Sequence, residues 1–423
     1  MRIFITLALF LALAAAHGQQ DDNSVAVKLR ALDARVVPAA DAGSLPDLLS
    51  KQQQSRIAAA HARMRQDWAM VQTRADWEKF RKDRIAALRK ALGPFPKERA
   101  DPKVRVTRKL EGEGFIVQNL VFESRPGLLV TANLYLPAKP AGGKMPGIVI
   151  VHGFHQPKSQ AELQDMGMTW ARLGCAVLVP DVLGHGERRQ HPFKTEKDFA
   201  GKFALRRQDY YGRANSAAQL ELAGESLAGW MVWDTIRCVD VLLARDDIDR
   251  NQILLLGAVA AGGDVAAQAA ALDERITAVA PFNYGGPEPE TVHPLPANPD
   301  EAELAFPYGQ GGHWDRTRRL QHAFRDGFFP WVVVAAAAPR RLVYSHEFAW
   351  DRERDPAWKR IEQVYQLAGV PGHLASAHGS GTLFGNPEGT GCGNIGPVHR
   401  QELYPTFQRW FGLPIPKKEY QKR

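Results

Sequence analysis

The chain has 423 residues, 45% of them hydrophobic and 24% charged, which is ordinary for a globular protein and enough for one large core or two modest ones. Its formal charge of +8 is local: residues 51–110 hold 17 Lys/Arg against 6 Asp/Glu. No aromatic interleaving or nucleic-acid motif accompanies that surplus, so nucleic acid is not an expected partner. An exposed basic helical face, drawn peripherally to anionic glycans or envelope lipids, is the expectation instead.

In chain order, residues 1–18 come first. "MRIFITLALFLALAAAHGQQ" carries one arginine, a short apolar run and small residues near Ala16. That pattern is a signal peptide, too short and wrongly flanked for a membrane span. An exported chain, periplasmic or extracellular, is therefore expected. Residues 19–100 read as a loose lead-in and a basic helical arm. In "RADWEKFRKDRIAALRKALG", Trp77, Phe80, Ile85, Leu88 and Leu92 recur at helical spacing and stop at Gly93-Pro94. "VRVTRKLE", "GFIVQNLVFES" and "LLVTANLYLP" then read as antiparallel edge strands.

From Pro146 the pattern alternates apolar strands ("GIVIVHG", "CAVLVPD", "QILLLGA", "ITAVAPFNY", "RLVYSHEF", "HLASAHG") with helical stretches at 159–173, 226–245, 262–273 and 355–368. A final helix, "VHRQELYPTFQRWFG", closes the domain. Continuous apolar strands between helices predict a mostly parallel central sheet with helices on both faces. The α/β domain is expected over 101–415, with a Pro- and Gly-rich insertion at 285–339 near the pocket, beyond the carboxyl ends of the strands. Cys175 and Cys238 fall in a strand and a helix and read as core residues. Cys392, in a glycine-rich loop, has no assigned role.

Over residues 75–415 the chain resembles the α/β-hydrolase superfamily, and within it exported bacterial acetylxylan-esterase-like and dienelactone-hydrolase-like proteins. "VIVHGF", "VPDVLGHGER", "LLLGAVAAGGD", "RLVYSHEFAWD" and "LASAHGSG" carry the resemblance, in the order oxyanion loop, elbow, acid, histidine. It implies an α/β-hydrolase fold and carboxylic ester hydrolase chemistry on a glycan or small ester, with no cofactor.

The elbow departs from the pattern. Gly257-Ala258-Val259-Ala260-Ala261-Gly262-Gly263 contains no hydroxyl or thiol. Ala260 is favoured at the tip, because Gly262 and Gly263 then fall where helix and sheet pack closest; a register with Val259 at the tip also fits. Losing a nucleophile costs on the order of 10⁶ in turnover, so a serine acyl-enzyme route is closed. Ser226 in "GESLAG" precedes an amphipathic helix and reads as its N-cap. Asp264 reads as a helix-dipole partner.

The resemblance places the general base at His378 and the orienting carboxylate at Glu347, with Asp351 as its rival. The backbone N–H groups of Phe154 and Ala261 form the expected oxyanion hole. His155, Trp314 and Trp350 are candidate ligand contacts, while His152 reads as structural. The spacing of His152, His155 and His378 matches no metal signature. Two readings follow: an esterase of unconventional mechanism, with His378 activating water, or a non-catalytic relative that binds a glycan or small ligand in the retained pocket. A third role, an envelope-associated protein held by the basic arm, is compatible with either.

Overall fold

The computed structural model describes residues 25–419, apart from 34, 44, 140–141, 154–156, 191–203, 259–260, 287–293, 305–317 and 382–394. Residues 1–18, expected to be a signal peptide, and Phe154, His155, Val259, Ala260, Trp314 and Cys392 lie outside the described residues. Two compact units divide the chain at Ser55/Arg56. In the first, the helices Val25–Ala31 and Ala39–Ala42 are followed by the start of helix Leu45–Ala69.

The second unit begins within helix Leu45–Ala69, and a separate helix, Arg74–Ala91, follows. Arg74–Ala91 starts afresh behind a capping box, in which Thr73 Oγ1 accepts from Asp76 N and Asp76 Oδ2 accepts from Thr73 N. These bonds satisfy donors that a helix start leaves open. The helix buries Trp77, Phe80 and Leu88. Several of its arginines are engaged locally. Arg81 donates to the carbonyls of Ala336 and Ala338, Arg84 pairs with Asp67 over the Phe80 ring, and Arg89 bonds the Gly93 carbonyl.

Nine strands form one sheet in the order β1-β2-β3-β5-β4-β6-β7-β8-β9. They are β1 (Arg105–Gly112), β2 (Phe115–Arg125), β3 (Leu128–Pro137), β4 (Met145–Val151), β5 (Ala176–Pro180), β6 (Ile248–Gly257), β7 (Ala278–Pro281), β8 (Arg341–His346) and β9 (Leu374–His378). The first three pair antiparallel, and β3 meets β5 antiparallel. Every pairing from β5 through β4 to β9 is parallel. The edge strands and the parallel body therefore stand where the sequence pattern put them.

Period-two alternation explains why the central strands are apolar throughout. Val149 and Leu255 enter one core, built with the helices Arg74–Ala91, Leu227–Leu243, Gly262–Leu272, Pro330–Ala335 and Pro356–Leu367. Ile148, Ile150, Leu254 and Leu256 enter the other, with Ala161–Arg172 and Pro397–Phe411. Cys175 and Cys238 are buried and unbridged. Ser226 caps its helix, accepting from Gly229 N and donating to the Leu92 carbonyl. No helix among the described residues is long and apolar enough to cross a membrane.

Candidate active site

The parallel strands bring their carboxyl ends together in one row. At β4, the buried His152 forms a hydrogen bond between Nδ1 and the Gly153 carbonyl, and its Nε2 accepts from Val182 N. Burial holds its pKa below the ordinary imidazole value. The loop after β5 is pinned by the buried Asp181, which accepts from Thr131 Oγ1, Lys158 N, Lys158 Nζ and Glu187 N. Burial pushes the Asp181 carboxyl upward, but the Lys158 ammonium and these donors outweigh it, and its pKa lies below the usual carboxylate range. Gly186 is required in this loop: its φ is +56°, and any Cβ there would strike the Asp181 carboxylate.

At the end of β6, Ala258 N donates to the Val151 carbonyl and Gly263 N to the Ala258 carbonyl. Ala261 stands at φ +95° immediately before helix Gly262–Leu272. A Cβ on Gly262 would strike the Val151 carbonyl, and one on Gly263 the Phe282 carbonyl. The helix start is thus wedged between the ends of β4 and β7, where glycine alone fits. Asp264, fully buried in the first turn, pairs with Arg318, which also donates to the Asn283 carbonyl. Ion pairing with Arg318 therefore joins the dipole role expected of Asp264.

The row continues through β7 and β8. Asn283 N donates to the Ser345 carbonyl, and Asn283 Oδ1 accepts from Glu347 N at 2.7 Å. Glu347 is buried at the end of β8. Asp351 lies further out, where its carboxylate accepts from Leu295 N and pairs with Arg354. Asp355, a third carboxylate from the same charged run, is fully buried. It accepts from Trp350 Nε1 (3.0 Å), Tyr344 Oη (3.2 Å) and Ala357 N (2.8 Å). Burial raises its pKa to about 6, against the lowering effect of those donors.

His378 ends β9 directly opposite His346 of β8. Its ring is exposed, with Nδ1 bonded to the Gly379 carbonyl at 2.8 Å, while its backbone N donates to Glu402. Among the described residues no carboxylate is hydrogen-bonded to the His378 ring. Trp350 is 8% exposed. It stacks on His346 (4.7 Å between centroids, 28°) and meets His378 at 6.3 Å and 66°. His399 is buried and bonds the Glu347 carbonyl through Nε2 at 2.8 Å, and its ring packs edge-on against Phe282.

Residues 97–284 match the family model of acetyl xylan esterases. No curated protein matches the chain in sequence. A solved structure from Bacteroides fragilis, provisionally assigned as an acetyl xylan esterase, is 17% identical, with a TM-score of 0.55 over 73% of this chain and 76% of that one. A second, described as a methylesterase, is also 17% identical, with a TM-score of 0.57 over 86% of this chain and 69% of that one.

This is an α/β-hydrolase fold. Its sequence likeness is to the acetyl xylan esterases, carried by the first half of the α/β domain.

Within this α/β-hydrolase fold the expected site residues divide clearly. Glu347 and His378 lie on adjacent strand ends, and Ala261 lies at the bend after β6. From β6 to β9 there are three strand spacings, roughly 14 Å at the sheet. Asp355, which ends the charged run "DRERD", was not among the expected site residues. The Pro following Asp355 marks a helix start, and with it an N-cap carboxylate, so a signal was present. His399 was not among the expected site residues; its packing on Phe282, whose N–H bonds the Gly257 carbonyl, comes from long-range pairing that no local motif encodes. Among the described residues there is no group of three or more His, Cys, Asp or Glu able to hold a metal ion.

Proposed function

We propose that the chain is an exported carbohydrate-binding relative of the esterases, holding an ester-bearing glycan at the strand ends without a serine acyl-enzyme. The observation that carries this reading is the hydrogen bonding of the His378 ring. Nδ1 bonds the backbone carbonyl of its own loop, and no described carboxylate orients the ring as the base of a catalytic triad requires. The bend after β6 agrees, since residues 257–263 offer only Gly, Ala and Val. Backbone donors need no side chain, so a polarised ester carbonyl can still be received at the start of helix Gly262–Leu272.

The test is a titration of the purified chain with acetylated xylo-oligosaccharides and their deacetylated forms, beside a 4-nitrophenyl acetate assay. Preferential binding of the acetylated chains with no turnover is expected. Turnover that disappears in His378→Ala overturns the non-catalytic reading and restores the water-activating esterase.

A further inference from the structure

Asp355 plays no part in the reading above, yet it is a fully buried carboxylate hydrogen-bonded to Trp350, a candidate ligand contact. Its two oxygens do different work. Oδ1 accepts from Ala357 N and caps helix Pro356–Leu367. Oδ2 accepts from Trp350 Nε1 and Tyr344 Oη. A helix cap alone needs only one oxygen, so the second arm calls for another explanation.

That arm fixes one indole between two imidazoles. Trp350 stacks face to face on His346 and meets His378 at an angle. Tyr344 closes edge-on against Trp350 at 5.4 Å and against His346 at 4.8 Å. Trp358 backs the indole at 5.3 Å. On the far side, the close approach of Gly286 to Tyr344 Oη and Asp355 Oδ2 leaves no room for a side chain. An indole has two side-chain torsions, and its hydrogen bond to a buried carboxylate selects one rotamer among those the ring pocket admits.

We propose that Asp355 is a positioning residue of the candidate site: through the Trp350 indole it sets the orientation in which His378 faces a bound ligand. The inference rests on the reading of His378 as part of that site. It deepens the reading by naming what fixes the ring beside His378, to whose imidazole no described carboxylate is hydrogen-bonded. Asp355 acts at one remove, by way of a ring contact.

The test is proton NMR of the histidine Hε1 resonances in the full chain, without ligand, at a fixed pH of 7.5. The ring current of the indole displaces the signals of the stacked His346 and of His378, which meets it at an angle, from their ordinary positions. Asp355→Ser keeps an oxygen to cap Ala357 N but is too short to reach the indole. Loss of at least half of the displacement at both histidines is expected, with a cooperative melt retained. Unchanged displacements in Asp355→Ser would reduce Asp355 to a helix cap and overturn the proposal. If that variant does not fold, Trp350→Phe keeps a ring but removes the donor, and the same loss at His378 is expected. An unmoved His378 signal there overturns the proposal equally. Because no ligand is used, absence of glycan binding would defeat the functional reading without touching this result.

Discussion

Arg188 and Asp234 offer a direct test of how the loop after β5 is held. Both are nearly buried, with side chains 4% and 9% exposed, and they pair at 2.8 Å. Arg188 Nη1 also donates to the Asp181 carbonyl, while Nη2 and the second oxygen of Asp234 have no hydrogen-bond partner among the described residues. The two side chains line a small cavity of about 10 Å³ with Val151, Asp181 and Thr235, the room that one water needs. Asp234→Ala strands a buried guanidinium and is expected to cost about 3–5 kcal/mol. In a domain this large that is roughly 4–6 °C in melting temperature. Arg188→Met should cost a similar amount by stranding the carboxylate. The double variant Arg188→Met/Asp234→Leu removes both charges and should lie within about 1 kcal/mol of the parent chain. Thermal melts and urea titrations of the four proteins complete a double-mutant cycle. Single variants that each cost under about 1 kcal/mol and simply add would refute the argument that this pair is a desolvated unit.

Thr73→Ala, which deletes one arm of the capping box, should cost about 1 kcal/mol in urea titrations. The pH dependence at Asp355 has a defined sign. Its pKa is raised in the folded chain from 3.8 to about 6, so its contribution is fully present below about pH 4 and is lost as pH rises to about 6. The loss is on the order of 3 kcal/mol. Asp355→Asn should flatten that part of the stability profile, and an unchanged slope between pH 4 and 6 would count against the assignment. Gly369→Ala, at φ +74° with open space around the Cβ position, isolates backbone strain and should cost about 1 kcal/mol, read from the shift in urea midpoint.

The fold was legible because its signals are local and repeated. Ile148, Val149 and Ile150 are apolar in succession since alternate residues feed different cores. Of the candidate site, only the placement of Glu347 and His378 at strand ends was legible, because a motif marks each strand end. Asp355 was hidden by its neighbours: Arg352, Glu353 and Arg354 are exposed, and the run as a whole reads as solvated. Nothing in "DRERD" announces that the last carboxylate turns inward to meet Trp350 and Tyr344. The break at residues 70–73 was also obscured, because both flanking helices carry apolar residues at compatible spacing; the Thr73/Asp76 capping pair was the available signal.

The bend after β6 separates what a fold demands from what a reaction demands. Gly262 and Gly263 are fixed by the carbonyls of Val151 and Phe282, which leave no room for a Cβ, and that packing is needed whatever chemistry the site performs. Gly263→Ala drives a methyl group into the Phe282 carbonyl and is expected to cost at least about 1–3 kcal/mol, seen as a lowered urea midpoint. Ala260→Ser gives the bend a hydroxyl. A fluorophosphonate probe that then labels residue 260 would show that the carbonyl-binding donors and a competent base still converge there. Labelling of Val259→Ser instead would move the tip by one residue. Labelling of neither, with both variants folded, would mean that the α/β-hydrolase scaffold has outlived the catalytic geometry, as the hydrogen bonding of His378 leads one to expect.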